Sequence, residues 1–214
     1  MELGEAILGR RSVRRYTDEA VPHRVLEKIM EAGRWAPTAC NVQGFRFIVI
    51  DDPQIFERII QGGAAGFLKK VRQAILVLYD NQTDNVEYQD YVQSAAAGVQ
   101  NMLLTAHSLK VGTCWVNHLP RKNYLRRVLG IPHYLDPIAL VTLGYFDQKS
   151  REMPRRWELS DVVCYNKYSI REMSRPKNRL LLIAKRLVRK IYFFISVFGF
   201  LRKIADRIEK KFEN

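Results

Sequence analysis

The sequence is poor in cysteine and has no extended apolar run. Its three cysteines, Cys40, Cys114 and Cys164, form no C-x-x-C pair, which argues against a disulfide framework and favours a reduced, cytoplasmic protein. No apolar stretch reaches the roughly 18 residues that a membrane-spanning helix needs. Residues 1–10 lack the basic and apolar regions of a signal peptide, so we expect neither a leader nor a spanning helix.

The sequence also lacks metal-binding patterns. The histidines are His23, His107, His118 and His133. No two of them have H-x-x-x-H spacing and none lies beside clustered carboxylates, so we expect no metal site. Cys114 has no evident histidine partner, and we expect it to pack in the core rather than to act as a nucleophile.

Positive charge is abundant but unevenly distributed. Residues 175–214 carry 12 Lys or Arg and 3 Asp or Glu, a net charge of +9, whereas the preceding part of the chain carries only +4 of the total of +13. Because 47% of the residues are hydrophobic, the chain can build a sizeable core. We therefore expect a globular domain over residues 1–170, followed by a basic tail over residues 175–214.

Hydrophobic periodicity and turn residues predict alternating helices and strands. Helices are predicted at 2–9, 22–36, 53–61, 86–109 and 121–129. Strands are predicted at 45–50, 74–80, 111–116 and 138–145. The small residues S-A-A-A-G within the fourth helix would let another helix approach closely. This succession implies an α/β or α+β sandwich.

An arginine cluster near the start of the chain is the first chemically informative stretch. Arg10, Arg11, Arg14 and Arg15 surround Ser12. In an extended segment Arg10, Ser12 and Arg14 face the same way, and two guanidinium groups beside a hydroxyl suit a phosphate group. The alternative is a solvated basic turn.

A polar loop follows the second predicted helix. Thr38, Asn41 and Gln43 lie between Pro37 and the strand at 45–50. Asn and Gln amides offer paired donors and acceptors that suit the edge of a heterocycle, and loops at strand ends often carry binding residues. An ordinary surface loop has the same composition.

Two later stretches also invite a binding interpretation. In V-G-T-C-W-V at 111–116, Gly112 allows the backbone to approach a flat ligand; the alternative is a buried strand with Trp115 in the core. Arg155 and Arg156 form a second arginine pair, which would close on the same anion as the first cluster or else lie on the surface.

Together the four stretches resemble the nitroreductase-like FMN-dependent flavoprotein family. The shared pattern is R-R-S-x-R, then A-P-T-x-x-N-x-Q before a strand, then G-T-C-W and finally P-R-R, and it extends over about residues 5–165. The order and spacing of the motifs carry the likeness, since each motif alone is unspecific.

The resemblance implies an α+β, three-layer sandwich with a central, mainly antiparallel sheet, an intertwined homodimer, and FMN at the subunit interface. The phosphate and ribityl chain would be held by Arg10, Arg11, Ser12 and Arg14, together with Arg155 and Arg156. The neighbouring subunit would supply Pro37, Thr38, Ala39, Asn41 and Gln43. The isoalloxazine would lie along Thr113, Cys114, Trp115 and Val116.

The implied activity is hydride transfer from NADH or NADPH to the flavin N5 and then to a small-molecule electron acceptor such as a nitro compound or a quinone, with no catalytic side chain. The chain departs from the family pattern where Gly44 and Phe45 follow Gln43. For the contact with the flavin pyrimidine ring, the candidates in this sequence are Lys69 and Lys70. One alternative is a flavoenzyme of the same fold with different chemistry, such as dehalogenation, flavin fragmentation or dehydrogenation of a lipid- or saccharide-linked substrate. Another is a non-catalytic, membrane-docked dimer.

The basic tail has the pattern of one amphipathic helix, or of two helices broken near Gly199. Its most apolar part, residues 191–201, would be about 16 Å long as a helix, short of the roughly 30 Å hydrocarbon core. We therefore expect residues 180–212 to lie on an anionic membrane surface, as a cytoplasmic, peripheral membrane protein would. The alternative is packing on the dimer or over the flavin pocket, and the clustered aromatic residues argue against nucleic acid.

Overall fold

The structure is a computed structural model that describes residues 1–82, 85, 87–147 and 154–169. The chain divides into two compact units, Met1–Gln148 and Lys149–Asn214, and each is described by itself. The predicted amphipathic tail, residues 175–214, lies outside the described residues.

The first unit contains the helices and strands expected from the sequence. The helices are α1 (Leu3–Gly9), α2 (His23–Arg34), α3 (Pro53–Gln61), α4 (Asp90–Ser108) and α5 (Lys122–Leu129). The strands are β1 (Phe45–Ile50), β2 (Gln73–Asp80), β3 (Gly112–Val116) and β4 (Leu135–Gly144). Short 3-10 turns occur at Ala39–Asn41 and Gly66–Lys70.

Local chemistry sets several of these boundaries. At the start of α3, the Asp52 side chain accepts a hydrogen bond of 2.8 Å from the Gln54 amide, and Pro53 occupies the first turn, where its missing N–H costs nothing. Gly130 ends α5 in the left-handed conformation, with φ of 66°, which glycine adopts without a steric penalty.

The four strands form one sheet in the order β1-β2-β4-β3, and every neighbouring pair is antiparallel. The sequence places the start of the last strand at residue 138, but β4 begins at Leu135. Pro137 reads as a strand breaker in the sequence. It lies where the β2–β4 register shifts between Val77 and Leu78, and a bulge of this kind is a position at which strands tolerate proline.

The fourth helix also differs from the prediction. The sequence predicts a start at residue 86, whereas α4 begins at Asp90. Gln89 has a φ of 51°, a left-handed conformation that a helix cannot continue through. The apolar periodicity therefore extends further toward the N-terminus than the helix itself.

Helices cover both faces of the sheet, so the unit has three layers. One core includes Leu26 and Ile29 of α2, Val99 and Met102 of α4, and Ile75, Val77 and Val141 of the sheet. The other includes Phe56 and Ile59 of α3, Leu125 of α5, and Leu76 and Leu140 of the sheet. These two cores confirm the predicted α+β sandwich around an antiparallel sheet.

The small residues of α4 let α2 approach closely, as the sequence predicts. A Cβ atom at Gly98 would lie 2.9 Å from the Gly33 carbonyl oxygen, and one at Gly33 would lie 2.8 Å from the Met102 side chain. The two helices therefore cross where neither has a side chain.

The described part of the second unit, residues 154–169, contains one 3-10 turn, Leu159–Asp161. Glu158 and Asp161 cap this turn reciprocally through their side chains and backbone amides. Among the residues that the structure describes, no helix has both the length and the apolar content needed to cross a bilayer.

Candidate functional site

The first arginine cluster lies directly on the sheet. We call residues 10–17 the arginine segment. Ser12 forms a parallel bridge with Thr113, and the Val13 amide donates a 2.8 Å hydrogen bond to the Thr113 carbonyl oxygen. Further along, the Thr17 amide donates a 2.8 Å bond to the Tyr145 carbonyl oxygen. The structure therefore brings two of the predicted motifs, R-R-S-x-R and G-T-C-W, into contact.

Two glycines create the space in which the arginine segment lies. Gly112 of β3 and Gly144 of β4 are register partners. A Cβ atom at Gly112 would lie 3.0 Å from the Val13 Cβ, and one at Gly144 would lie 2.7 Å from the Tyr16 ring. A Cβ atom at Gly112 would also lie 2.7 Å from the Phe146 ring. Contacts below 3.0 Å require the neighbour to move, so a side chain at either position would disturb the residues packed there.

A buried hydroxyl chain joins the segment to the sheet. The Tyr16 hydroxyl lies 2.6 Å from the Val13 carbonyl oxygen and 2.7 Å from the Thr142 hydroxyl oxygen. Thr142 in turn lies 3.4 Å from the Cys114 carbonyl oxygen. Burial raises the pKa of Tyr16 far above its usual value, outweighing the hydrogen bond from Thr142 that lowers it. The phenol therefore stays protonated and remains a donor at any physiological pH.

Of the four arginines, Arg10 and Arg14 present their charge to the start of β3. Burial raises the pKa of the Cys114 thiol, while the charge of Arg14, a hydrogen bond with Ser12 and the charge of Arg10 oppose that rise. Arg14 is exposed and Arg10 is half-buried. The Arg10 Nε is buried and has no hydrogen-bond partner among the described residues.

Arg11 is placed differently from its neighbours. Its guanidinium group donates to the backbone carbonyl oxygens of Leu8 and Arg10, where it covers orphan acceptors at the end of α1. The resemblance implies that Arg11 binds a phosphate, but in the structure its guanidinium group caps the end of α1.

Sequence reasoning missed a histidine beside this cluster. His107, in the last turn of α4, lies against Gly9, whose Cβ would be 3.0 Å from the His107 Nε2. Burial lowers the pKa of His107, and the charges of Arg10 and Arg11 lower it further. The histidine is therefore kept neutral beside two guanidinium groups. No sequence spacing reveals this contact, since it depends on how α1 packs against α4.

The residues of β3 offer a ligand mainly their backbone. Thr113, Cys114 and Val116 are buried, and Trp115 is half-buried with its indole N–H lacking a partner within the described part of the chain. Because β3 is an edge strand, its outward N–H and C=O groups are not used by the sheet. The Thr113 carbonyl points outward to Val13, so by strand alternation the Trp115 backbone points to the same edge.

The polar loop has an unusual backbone. We call residues 37–43 the amide loop. Cys40, Asn41 and Gln43 all have positive φ, at 48°, 56° and 50°, a conformation that costs non-glycine residues energy. The Thr38 hydroxyl accepts a 3.2 Å bond from the Gln43 amide, and the Gln43 side chain donates a 2.8 Å bond to the Asn41 side chain. These bonds hold two exposed amide side chains in a fixed orientation.

Within one chain the amide loop does not reach the arginine segment. The loop leads into Phe45, which pairs with Tyr79 near the end of β2. Thr113 pairs with Leu143 of β4, and Leu143 in turn pairs with Gln73 at the start of β2. The two levels are about 20 Å apart along the strands, and β1 and β3 are about 14 Å apart across the sheet. The two groups of predicted site residues thus occupy diagonally opposite corners.

Lys69 and Lys70 lie at the same end of the sheet as the arginine segment. They belong to the turn Gly66–Lys70, which leads into Gln73 at the level of Thr113. Both lysines are exposed. The Gln73 side chain accepts a 2.6 Å bond from the Val21 amide and donates a 3.0 Å bond to its carbonyl, which ties this corner to the chain after the arginine segment.

Arg155 and Arg156 are exposed residues of the second unit. Their convergence with the arginine segment stays a prediction. Within the described ranges, no three His, Cys, Asp or Glu side chains are grouped closely enough to hold a metal ion.

Comparison with known proteins identifies relatives of the chain. The sequence model described as the nitroreductase family matches residues 7–82 and 59–145. A protein of Methanothermobacter thermautotrophicus, provisionally named NADH dehydrogenase/NAD(P)H nitroreductase, is 34% identical over 149 residues, which cover 68% of this chain and 78% of that protein. The iodotyrosine deiodinase of Haliscomenobacter hydrossis is 26% identical over 64% of this chain and 75% of its own length.

A solved structure has the same fold. A provisionally named nitroreductase from Desulfovibrio desulfuricans, in complex with FMN, superposes with a TM-score of 0.65 and 33% sequence identity. The match covers 78% of this chain and 98% of that chain.

Proposed function

The chain belongs to the nitroreductase family, and on this premise we propose that it is an FMN-dependent oxidoreductase. When bound, FMN would supply hydride transfer from NADH or NADPH to an electron acceptor such as a nitro compound or a quinone. The observation that carries the proposal is the contact between the arginine segment and the start of β3. This contact places arginine side chains that suit an anion beside the edge strand of the sheet.

The donors at this corner fit a phosphate group. Arg10, Ser12 and Arg14 present guanidinium and hydroxyl donors near one thiol, and the buried Arg10 Nε has no partner among the described residues. An anion between the arginines would use that N–H and would offset their mutual repulsion. Ser12 and Arg14 would complete the grip, with Arg155 and Arg156 as further contributors.

The edge of β3 and the nearby lysines suit the ring system. Within the stretch Thr113 to Val116, the outward backbone of Trp115 offers an N–H donor on a rigid strand, which needs no reorganisation when a ligand binds. Lys69 or Lys70 would place positive charge near the pyrimidine end. The described residues thus supply binding, orientation and electrostatics, and we assign no side chain to the chemical step.

A homodimer would complete the site. One chain places the amide loop and the arginine segment at opposite corners of the sheet, so the loop can meet an arginine segment only in a second copy. The residues delivered by the second copy would be Pro37, Thr38, Ala39, Asn41 and Gln43. The bonded pair Asn41 and Gln43 is preset for this contact.

The basic tail would anchor the enzyme to a membrane surface. Residues 180–212 carry an apolar stripe flanked by lysines and arginines, which suits an anionic bilayer surface. This would make the protein a cytoplasmic, peripheral membrane oxidoreductase with a catalytic domain over residues 1–170. Co-sedimentation of the full chain with phosphatidylserine vesicles, but not with phosphatidylcholine vesicles, tests this part. Equal recovery with both lipids contradicts it.

A second candidate function is reductive dehalogenation. It is favoured by the relationship to an iodotyrosine deiodinase. Release of iodide from iodotyrosine by the reduced protein, without oxidation of NAD(P)H by nitroarenes or quinones, would favour this function over the first.

The absorbance spectrum of the purified protein tests the main proposal. We expect the visible absorbance bands of oxidised flavin, and we expect them to bleach when NADH or NADPH is added without oxygen, because reduction removes the colour of the flavin. A colourless protein that gains no bands on titration with FMN contradicts the proposal.

A further inference from the structure

We propose that Tyr16 is a positioning residue of the flavin site. Its hydroxyl contacts Thr142 and so fixes the arginine segment to β4, beside β3. The phosphate-binding side chains and the flavin-facing backbone of β3 then keep a constant distance from each other. This inference rests on the proposed function and deepens it.

Backbone hydrogen bonds join the arginine segment to the rest of the unit near both of its ends. Val13 bonds to Thr113, and Thr17 bonds to Tyr145. For Arg14, Arg15 and Tyr16, which lie between these points, no backbone hydrogen bond to the sheet occurs in the described residues. The Tyr16 side chain provides the missing connection, because its ring packs on Gly144 and its hydroxyl reaches Thr142.

Proton counting shows how the chain of hydroxyls is used. Tyr16 has a single O–H, and the Val13 carbonyl 2.6 Å away can only accept, so Tyr16 donates to Val13. The single proton of Thr142 then goes to the Tyr16 oxygen 2.7 Å away, so the longer, 3.4 Å contact between Thr142 and the Cys114 carbonyl oxygen has no proton of its own. Both hydroxyls are satisfied in this arrangement, which a buried polar network requires.

The bond to Val13 bears directly on the phosphate-binding group. The Val13 carbonyl belongs to the peptide unit whose nitrogen is that of Arg14, so the Tyr16 hydroxyl sets the plane from which the Arg14 side chain leaves the backbone. Thr142 is the register partner of Cys114 on β3. The Tyr16 side chain therefore links the direction of Arg14 to β4, the neighbour of the strand that would face the flavin ring.

The comparison of FMN with riboflavin tests this linkage, because riboflavin has the same ring and ribityl chain but no phosphate. Flavin-free, full-length protein is titrated with each ligand by flavin fluorescence. For Tyr16→Phe we expect the FMN Kd to rise about two- to tenfold, the value of one buried hydrogen bond, while the riboflavin Kd changes by less than about twofold. Thr142→Val should shift the ratio of the two constants in the same direction.

Tyr124→Phe is the matched control. The Tyr124 hydroxyl also donates to a backbone carbonyl, that of Arg58, at 2.9 Å, but it does so between α5 and α3. This variant loses an equivalent bond and should leave both flavin constants unchanged. If Tyr16→Phe does not fold, Thr142→Val measures the same linkage.

The outcomes distinguish failure of the proposed function from failure of the role proposed for Tyr16. A native protein that binds neither flavin overturns the proposed function itself. If the native protein binds FMN but the variants raise the FMN and riboflavin Kd values equally, or change neither, only the positioning role of Tyr16 is overturned.

Discussion

Gly112 and Gly144 face each other across the β3–β4 ladder, and each contacts a different side chain of the arginine segment. Val13 lies against Gly112, and Tyr16 lies against Gly144. Paired glycines in neighbouring strands leave a shallow depression on the sheet, and the arginine segment fills it. The arginine segment is thus positioned by the absence of two side chains as much as by hydrogen bonds.

Gly144→Ala should therefore destabilise both the protein and its flavin site. The new Cβ would lie 2.7 Å from the Tyr16 ring, and relief of such overpacking typically costs about 1–3 kcal/mol. Thermal unfolding and FMN titration measure the two effects. Gly4→Ala is the control, because nothing lies within 4 Å of the added atom in α1 and alanine favours a helix by up to about 1 kcal/mol. Unchanged stability of Gly144→Ala contradicts this description of the contact.

Arg10→Ala should weaken FMN much more than riboflavin. The half-buried guanidinium has an Nε without a partner in the described residues, and a hydrogen bond to a charged group is worth about 1.5–3 kcal/mol, or roughly ten- to a hundredfold in Kd. Arg24→Ala, which removes the same charge from the exposed face of α2, is the control for net charge. A similar loss of FMN affinity in the two variants would mean that Arg10 attracts FMN only through the net positive charge of the protein.

Mixed dimers should recover activity that neither parent variant has. If the amide loop of one chain completes the site of the other, a dimer of Arg10→Ala and Asn41→Ala chains contains one site with both residues intact. Random assembly of equal amounts should then restore about a quarter of the native sites, since half of the dimers are mixed and each has one intact site. The measurement is NADH-dependent quinone reduction after co-refolding of the two chains. No recovery contradicts sharing of the site between chains.

Asp136→Asn should reduce stability by about 3 kcal/mol, because it leaves cations beside a buried site without their counter-charge. Asp136 is only 6% exposed and forms ion pairs with Lys122 and Arg126, and it also accepts bonds from Asn81 and Tyr91. Urea unfolding at pH 7 measures the loss.

The same carboxylate predicts a pH dependence. Burial acts to raise the pKa of Asp136, but the bonds from Lys122 and Asn81 and the charges of Lys122 and Arg126 outweigh it, so the pKa is lowered. Its stabilising contribution is therefore full above the unfolded pKa of about 4 and is lost as the pH falls below that value. Asp136→Asn should flatten the stability curve below about pH 4. Asp18→Asn is the control, since the Asp18 side chain is 94% exposed in its pair with Arg72 and should change stability by no more than about 1 kcal/mol.

Much of the fold is readable from local signals in the sequence. β1 and α3 match their predicted bounds because alternation, Asp52 and Pro53 mark their ends without help from tertiary contacts. β4 and α4 start elsewhere than predicted because a bulge tolerates Pro137 and a left-handed Gln89 interrupts the periodic pattern. In both cases the boundary is set by a backbone feature that hydrophobic periodicity does not predict.

The candidate site was only partly predictable for a similar reason. Arg10, Ser12 and Arg14 are recognisable by residue type and spacing, but Tyr16, Thr142 and Gly144 act through contacts between distant parts of the chain. Tyr16 left one signal, as the single aromatic residue in the charged stretch 10–20. The separation of the amide loop from the arginine segment depends on strand order, which single-chain periodicity does not encode.

The parallel pairing of Ser12 with Thr113 also has a consequence for solubility. β3 ends the sheet, and an open edge strand is a template on which other chains can add strands. Ser12 and Val13 occupy the start of that template, at Thr113. A lesion that releases them should therefore remove the flavin and start aggregation in one event, and bound flavin should delay both.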